Sequence, residues 1–354
     1  MSDISIENLV ADAAGKGASD VHLIYGLPPK CRVNGELTDL VPEILGDDEC
    51  RLLAGQAAGS RLEELDHIGE IDFARTIGGQ RCRINLFHQQ GHLSMALRIL
   101  SDHIPDIRKL GVPPVVMQFP TYHKGIVLVT GETGSGKSTT LAAILDRINH
   151  TRSEHIITME DPIEYVYKPD KCIINQREIG TDTKDYASAM RAVLREDPDV
   201  ILIGEMRDPE TMLTAITAAE TGHLVFATLH TNSAVDSVDR IVSSFEANRR
   251  DEIRMELSMT LKAILSQQLL PRADRMGRAL ACECMISTPA IRNLIREGKT
   301  PQMASIMLAN ASEGSITMDN CLARLVQQGT ITRETAMEAA NDAEFLKKRL
   351  PAYR

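Results

Sequence analysis

Apolar residues recur at helical spacing near the start of the chain. Ile6, Leu9, Val10, Ala13 and Ala14 predict an amphipathic helix. The period then shortens to two. A strand is predicted over Asp20–Tyr25, then an extended pair turning at Asn34-Gly35, two residues that tolerate positive φ. A helix over about Asp47–Ala58 precedes alternating strands near Gln80–His88 and His92–Leu100. Residues 1–100 thus read as a small α+β domain. Pro105, Pro113, Pro114 and Pro120 punctuate Ser101–Pro120, which reads as a linker. Beyond it, short continuous apolar runs alternate with helical stretches: Gly125–Thr130, Ile156–Glu160, Val200–Glu205 and Leu224–His230. Such runs suit parallel strands covered on both faces. The fold class is therefore α/β. A RecA-like α/β domain is expected over residues 121–354, with a helical C-terminus after about residue 285.

The first of these runs carries the strongest chemical signal. Gly131-Glu132-Thr133-Gly134-Ser135-Gly136-Lys137-Ser138 fits G-x-x-x-x-G-K-[ST] between the strand GIVLVT and the helix STTLAAILDRI. Glycines let backbone N–H groups turn inward around phosphate oxygens, and the helix N-terminus adds the positive end of its dipole. Gly131, Thr133, Gly134, Ser135, Gly136, Lys137, Ser138 and Thr139 are expected to hold ATP. Lys137 can reach the β- and γ-phosphates, and the Ser138 hydroxyl can ligate Mg²⁺. The loop alone does not choose among kinase, GTPase and motor.

The other runs end in acids or histidine. DPDVILIGEMRD delivers Glu205 at a strand end, where it can hold Mg²⁺ through water or polarise the attacking water. In HIITMEDPIEYVY, Pro162 stops the strand and leaves Glu160, Asp161 and Glu164 on a turn. A carboxylate there can accept a proton from water during in-line attack, and which glutamate is the general base stays open. GHLVFATLHT places His223 before a strand and His230 at its end. His230 can sense the γ-phosphate or simply serve a structural hydrogen bond.

A turn at Gln90-Gly91 would set Arg83 opposite Arg98, with Cys82, Ile84, Leu86, Leu93, Met95, Leu97 and Ile99 on the other face. Like charges directly opposite each other destabilise a hairpin, and a bound polyphosphate would resolve the cost. Two solvated surface arginines are the plainer alternative.

Composition narrows the classes. A net charge of -10, a pI near 5.5, no tryptophan and 3% aromatic residues argue against a nucleic-acid binder, which is normally basic and carries stacking platforms. The seven cysteines have no C-x-x-C spacing, the nearest being Cys282-x-Cys284, and read as reduced thiols in a cytosol. No apolar stretch approaches the roughly 20 residues needed to span a bilayer, and the N-terminus carries no signal pattern. Membrane contact is expected only through a partner.

In this order the elements resemble the secretion and pilus assembly ATPases of bacteria, and among them the type IV pilus retraction (twitching motility) branch. The resemblance runs through ASDVHL, PPKCRVNGEL, the Walker A loop, ITMEDPIEYV, LREDPDVILIGEMRD and TGHLVFATLHTNSA, to AIRNLIREGKT at residues 290–300. It implies a PAS-like N-terminal domain and a homo-hexameric ring using ATP and Mg²⁺. The implied roles are Lys137 and Ser138 on ATP and Mg²⁺, Glu164 and Glu205 in catalysis, His230 in the His box, and Arg83 and Arg98 as fingers. The implied partners are an inner-membrane pilus platform protein and other pilus motor ATPases, at the cytoplasmic face. Glu132 replaces the usual Pro of the loop, Tyr167 follows the acidic box, and Pro301 follows the last motif. The chain lacks the four-cysteine insertion and long N-terminal extension common in the extension and secretion branches, which favours retraction. A pilus-extension or type II secretion ATPase and a nucleic-acid translocase are the alternatives.

Overall fold

The computed structural model describes residues 4–33, 35–100 and 103–350. Two compact units form, one of Met1–His103 with Pro162–Val166 and one of Ile104–Asp161 with Tyr167–Arg354.

The first unit is a six-stranded antiparallel sheet with helices on one face. Its strands are β1 (Asp20–Ile24), β2 (Lys30–Val33), β3 (Glu36–Asp39), β4 (Glu70–Ile77), β5 (Gln80–Gln89) and β6 (His92–Ile99), in the order β3-β2-β1-β6-β5-β4. The helix Ile6–Gly15 starts at Ser5, whose side chain accepts from the Asn8 N–H. It buries Ile6, Leu9 and Val10, and the helix Asp47–Ala58 adds Leu53 and Ala54 to the same core. From the sheet, Cys82, Ile84, Leu86 and Leu97 meet them, as the period-two pattern requires. Val33 pairs with Glu36 across the expected hairpin, while Asn34 lies outside the described residues. The β5–β6 turn puts both Gln90 (φ 51°) and Gly91 (φ 84°) in the left-handed region, the geometry that matches strand twist. That turn fixes Arg83 opposite Arg98. β4 is an addition to the sequence reading; its alternation of Ile71 and Phe73 with polar neighbours is short and broken by Ala74–Thr76.

The second unit is a seven-stranded sheet in the order β13-β12-β7-β11-β10-β8-β9. Its strands are β7 (Gly125–Thr130), β8 (His155–Glu160), β9 (Ile173–Glu178), β10 (Val200–Ile203), β11 (Leu224–Leu229), β12 (Leu261–Pro271) and β13 (Arg278–Ile286). All neighbours are parallel except the β12–β13 hairpin at the edge. Every residue of β7, β10 and β11 is buried, which explains their unbroken apolar runs. Leu128 pairs with Ala227, Ala227 with Ile203 and Ile203 with Met159, so the strands end level. Their C-terminal ends thus line up along one sheet edge, where open α/β sheets bind ligands. Residues 103–121 hold two 3₁₀ helices, Ile107–Lys109 and Pro114–Thr121, and the second buries Val116 and Phe119. After β13 the chain is helical, as Pro289–Arg296, Met303–Ala309, Met318–Gln327, Arg333–Glu338 and Ala343–Arg349. Among the described residues, no helix is long and apolar enough to cross a membrane.

Candidate nucleotide site

The loop after β7 is shaped by its glycines. Gly131, Gly134 and Gly136 have φ of 138°, 80° and 93°. At Gly131 a Cβ would sit 2.3 Å from the Gln267 carbonyl oxygen and 2.7 Å from Ser135 Oγ, so no other residue fits without moving backbone. Gly136 then opens the helix Lys137–Thr151, and no side chain caps it. Its first-turn N–H groups face the loop, where an anion can take them. Lys137 is buried and curls over the loop, its Nζ donating to the carbonyls of Gly131 (2.7 Å) and Glu132 (2.9 Å). Ser135 Oγ is buried and meets no partner among the described residues. Glu132, Thr133, Gly134 and Ser135 form one wall of a cavity of about 400 Å³, and β12 residues Gln267–Leu270 with Arg278 form another. An orphaned hydroxyl, an uncapped helix end and a buried ammonium in one loop fit a polyphosphate. Ser138 and Thr139 follow on the first turn, with Ser138 exposed and Thr139 partly so.

β12 braces this loop through polar contacts absent from the sequence reading. Thr130 Oγ1 and Ser266 Oγ lie 2.8 Å apart in the core, and Gln267 Nε2 donates to Thr140 Oγ1 at 2.8 Å. Three polar residues, Ser266, Gln267 and Gln268, inside the apolar run AILSQQLL were the available signal.

The neighbouring strand ends bring Glu205 and His230 together. His230 Nε2 is 3.4 Å from Glu205 Oε1, and Arg207 Nε donates to Glu205 Oε2 at 2.8 Å. Arg207 also lies 3.9 Å from Asp161 Oδ2. Its hydrogen bond to Glu205 holds the guanidinium above its usual pKa. Burial pushes the nearby Tyr186 hydroxyl up, with the Asp161 charge adding to it. Arg207 sits in the quoted GEMRD and was not singled out from sequence. β10 stops at Ile203, so Glu205 stands on the loop beyond it, held there by Arg207 and His230. Glu160 Oε1 is held by Thr158 Oγ1 (2.6 Å) and Gln176 Nε2 (3.2 Å). His223 Nδ1 contacts the Ala218 carbonyl at 2.8 Å and fastens a helix end. Glu164 is partly buried on the Pro162–Val166 segment, which packs within the first unit, where Arg81 Nε donates to the Ile163 carbonyl at 3.2 Å.

Arg83 and Arg98 face each other as the turn predicts, but their repulsion needs no polyphosphate to resolve it. Arg83 Nη2 bonds Asp72 Oδ2 at 2.6 Å, and Arg98 Nε bonds Asp20 Oδ1 at 3.0 Å. Flanking strands β4 and β1 supply the acids, which pairwise reasoning on one hairpin omits. Both guanidinium groups remain substantially exposed. The seven cysteines are all buried and free. Burial pushes Cys50 and Cys82 up to about 11 and Cys284 up to about 12.

A glycine-rich loop leading into an uncapped helix at the edge of a parallel sheet, with carboxylate and histidine on the adjacent strand ends, defines a P-loop ATPase. The family model "Type II/IV secretion system protein" matches residues 85–344. The chain belongs to that family. It is 44% identical to the type IV pilus retraction ATPase PilT of Pseudomonas aeruginosa, covering 96% of this chain and 99% of the relative. It is 42% identical to a twitching motility protein of Neisseria gonorrhoeae, over 90% of this chain and 86% of that one. The crystal structure of the pilus retraction motor PilT with bound ADP superposes with a TM-score of 0.92 at 47% identity, covering 98% of this chain and 100% of that chain.

Proposed function

We propose that the chain is a motor ATPase that retracts a type IV pilus. The end-to-end match to PilT carries this reading, since it spans both units. Residues 121–354 supply the ATPase core and residues 1–100 present the arginines, with 101–120 joining them.

In the proposed site the loop N–H groups and Lys137 take the phosphates, and Lys137 exchanges its loop carbonyls for phosphate oxygens. The Ser138 hydroxyl and, through water, the Glu205 carboxylate would hold Mg²⁺, which neutralises phosphate charge when bound. Both are oxygen donors, the kind Mg²⁺ prefers. Glu205 and Glu164 are the candidates for orienting and deprotonating the attacking water. His230, against Glu205, reports the state of the γ-phosphate to β11. Arg83 and Arg98 act on a neighbouring subunit's nucleotide in a homo-hexamer, and release of product biases the interface between copies. Work is delivered to an inner-membrane platform protein at the cytoplasmic face.

Deleting the gene in the source organism tests the direction of work. Hyperpiliated cells that do not twitch are expected. Bald cells would assign pilus extension instead.

A further inference from the structure

A second cavity, of about 500 Å³, is lined by four carboxylates: Asp236, Glu283, Asp319 and Asp342. No lysine, arginine or histidine is among the described residues that line it. Buried charge is normally paired, and an unpaired carboxylate is costly. Here Glu283 and Asp319 are both buried, and among the described residues their hydrogen-bond donors are backbone N–H groups. Glu283 accepts from Ala234 (2.7 Å) and Met318 (3.3 Å), and Asp319 from Asn341 (2.9 Å) and Asp342 (3.1 Å). Each carboxylate oxygen therefore keeps acceptor capacity. The helix ends that Glu283 and Asp319 cap offset about half a charge apiece, while Asp236 and Asp342 are exposed at the mouth of the cavity. Burial pushes Glu283 and Asp319 above the usual carboxylate range, as expected where a counter-ion is missing.

Thr317 supplies an independent sign. It lines the same cavity, is 8% exposed, and its buried Oγ1 meets no partner among the described residues. It stands at a helix N-cap, yet its side chain makes no cap hydrogen bond. The acids are also dispersed, since no three His, Cys, Asp or Glu side chains among the described residues converge as metal ligands would. Met307, Leu308 and Phe345 add apolar surface to the same lining. Spaced negative groups on an apolar wall suit several ammonium groups joined by methylenes.

We propose that this cavity binds a linear aliphatic polyamine, its ammonium groups meeting Asp236, Glu283, Asp319 and Asp342 and one of them donating to Thr317 Oγ1. The bound cation would tie the helix Ala234–Ser243, which follows the His230 loop, to the helices Met318–Gln327 and Ala343–Arg349.

Calorimetric titration of the nucleotide-free 354-residue chain with spermidine tests this. Saturable binding is expected, unchanged by millimolar Mg²⁺. The exposed-site double variant Asp236→Asn/Asp342→Asn should weaken it at least about tenfold while melting as the parent does. Thr317→Val should weaken binding yet keep or raise the melting temperature of the ligand-free chain, because it removes an unpartnered hydroxyl. Absence of saturable binding, equal binding by the variants, or displacement by stoichiometric Mg²⁺ would overturn the assignment.

Discussion

Lys137 holds two loop carbonyls, and its proposed role is to exchange them for phosphate. Its replacement removes a charge-assisted hydrogen bond worth about 1.5–3 kcal/mol. Lys137→Ala is therefore expected to weaken ATP binding roughly 10- to 150-fold by equilibrium titration. Unchanged affinity would mean that the loop is not the phosphate cradle. The role proposed for Glu205 is later, in orienting and deprotonating the attacking water. Glu205→Gln should bind ATP normally and lose about 10²–10⁴ in turnover, and a near-parental rate would strike it from the catalytic set. The loop residues were legible because G-x-x-x-x-G-K-S encodes a backbone path as well as a chemistry. Arg207 was not legible, since its importance lies in a contact two residues back to Glu205 and across to Asp161. Gln267 was hidden for a similar reason. Its partner Thr140 lies 127 residues away in sequence, beyond the reach of periodicity.

The strands of the first unit show how a charge conflict within one hairpin is settled by its neighbours. Asp20 on β1 meets Arg98 on β6, and Asp72 on β4 meets Arg83 on β5. For Asp20, burial raises the pKa, but hydrogen bonds from Ser19 and Arg98 and the Arg98 charge outweigh it and hold the carboxyl below its usual value. A depressed carboxylate stabilises the fold above its unfolded pKa of about 3.9 and loses that contribution as pH falls toward the folded value. Asp20→Asn should therefore lower the melting temperature at pH 7, with the gap to the parent closing below about pH 4. A gap independent of pH would show that the ion pair is not its source. At this scale the alternating strands β5 and β6 and the apolar strands β7, β10 and β11 were readable from period and length. β12 and β13 were not, because an apolar run such as AILSQQLL fits a buried helix as well as a strand until its neighbour is known. The Asp72 and Asp20 pairs were out of view, since sheet order rather than sequence order makes them.

At the scale of the whole molecule, a net charge of -10 and seven buried, free thiols accompany a nucleotide site proposed to be completed by another copy. The thiol part is simple to check. With Cys50 and Cys82 at about 11 and Cys284 at about 12, the native protein should react slowly with an alkylating reagent at pH 8. All seven thiols should become reactive together on denaturation. Several fast native thiols would contradict the buried arrangement. Arg83→Ala or Arg98→Ala should lower turnover by about 10³ if the guanidinium meets the transferred phosphoryl group. The most direct measurement mixes inactive Lys137→Ala chains with inactive Arg83→Ala or Arg98→Ala chains and follows ATP hydrolysis. Shared sites predict recovery, with about a quarter of the interfaces intact in an equal, randomly assembled mixture. Activity that stays at the level of the two variants alone would contradict a site built between copies.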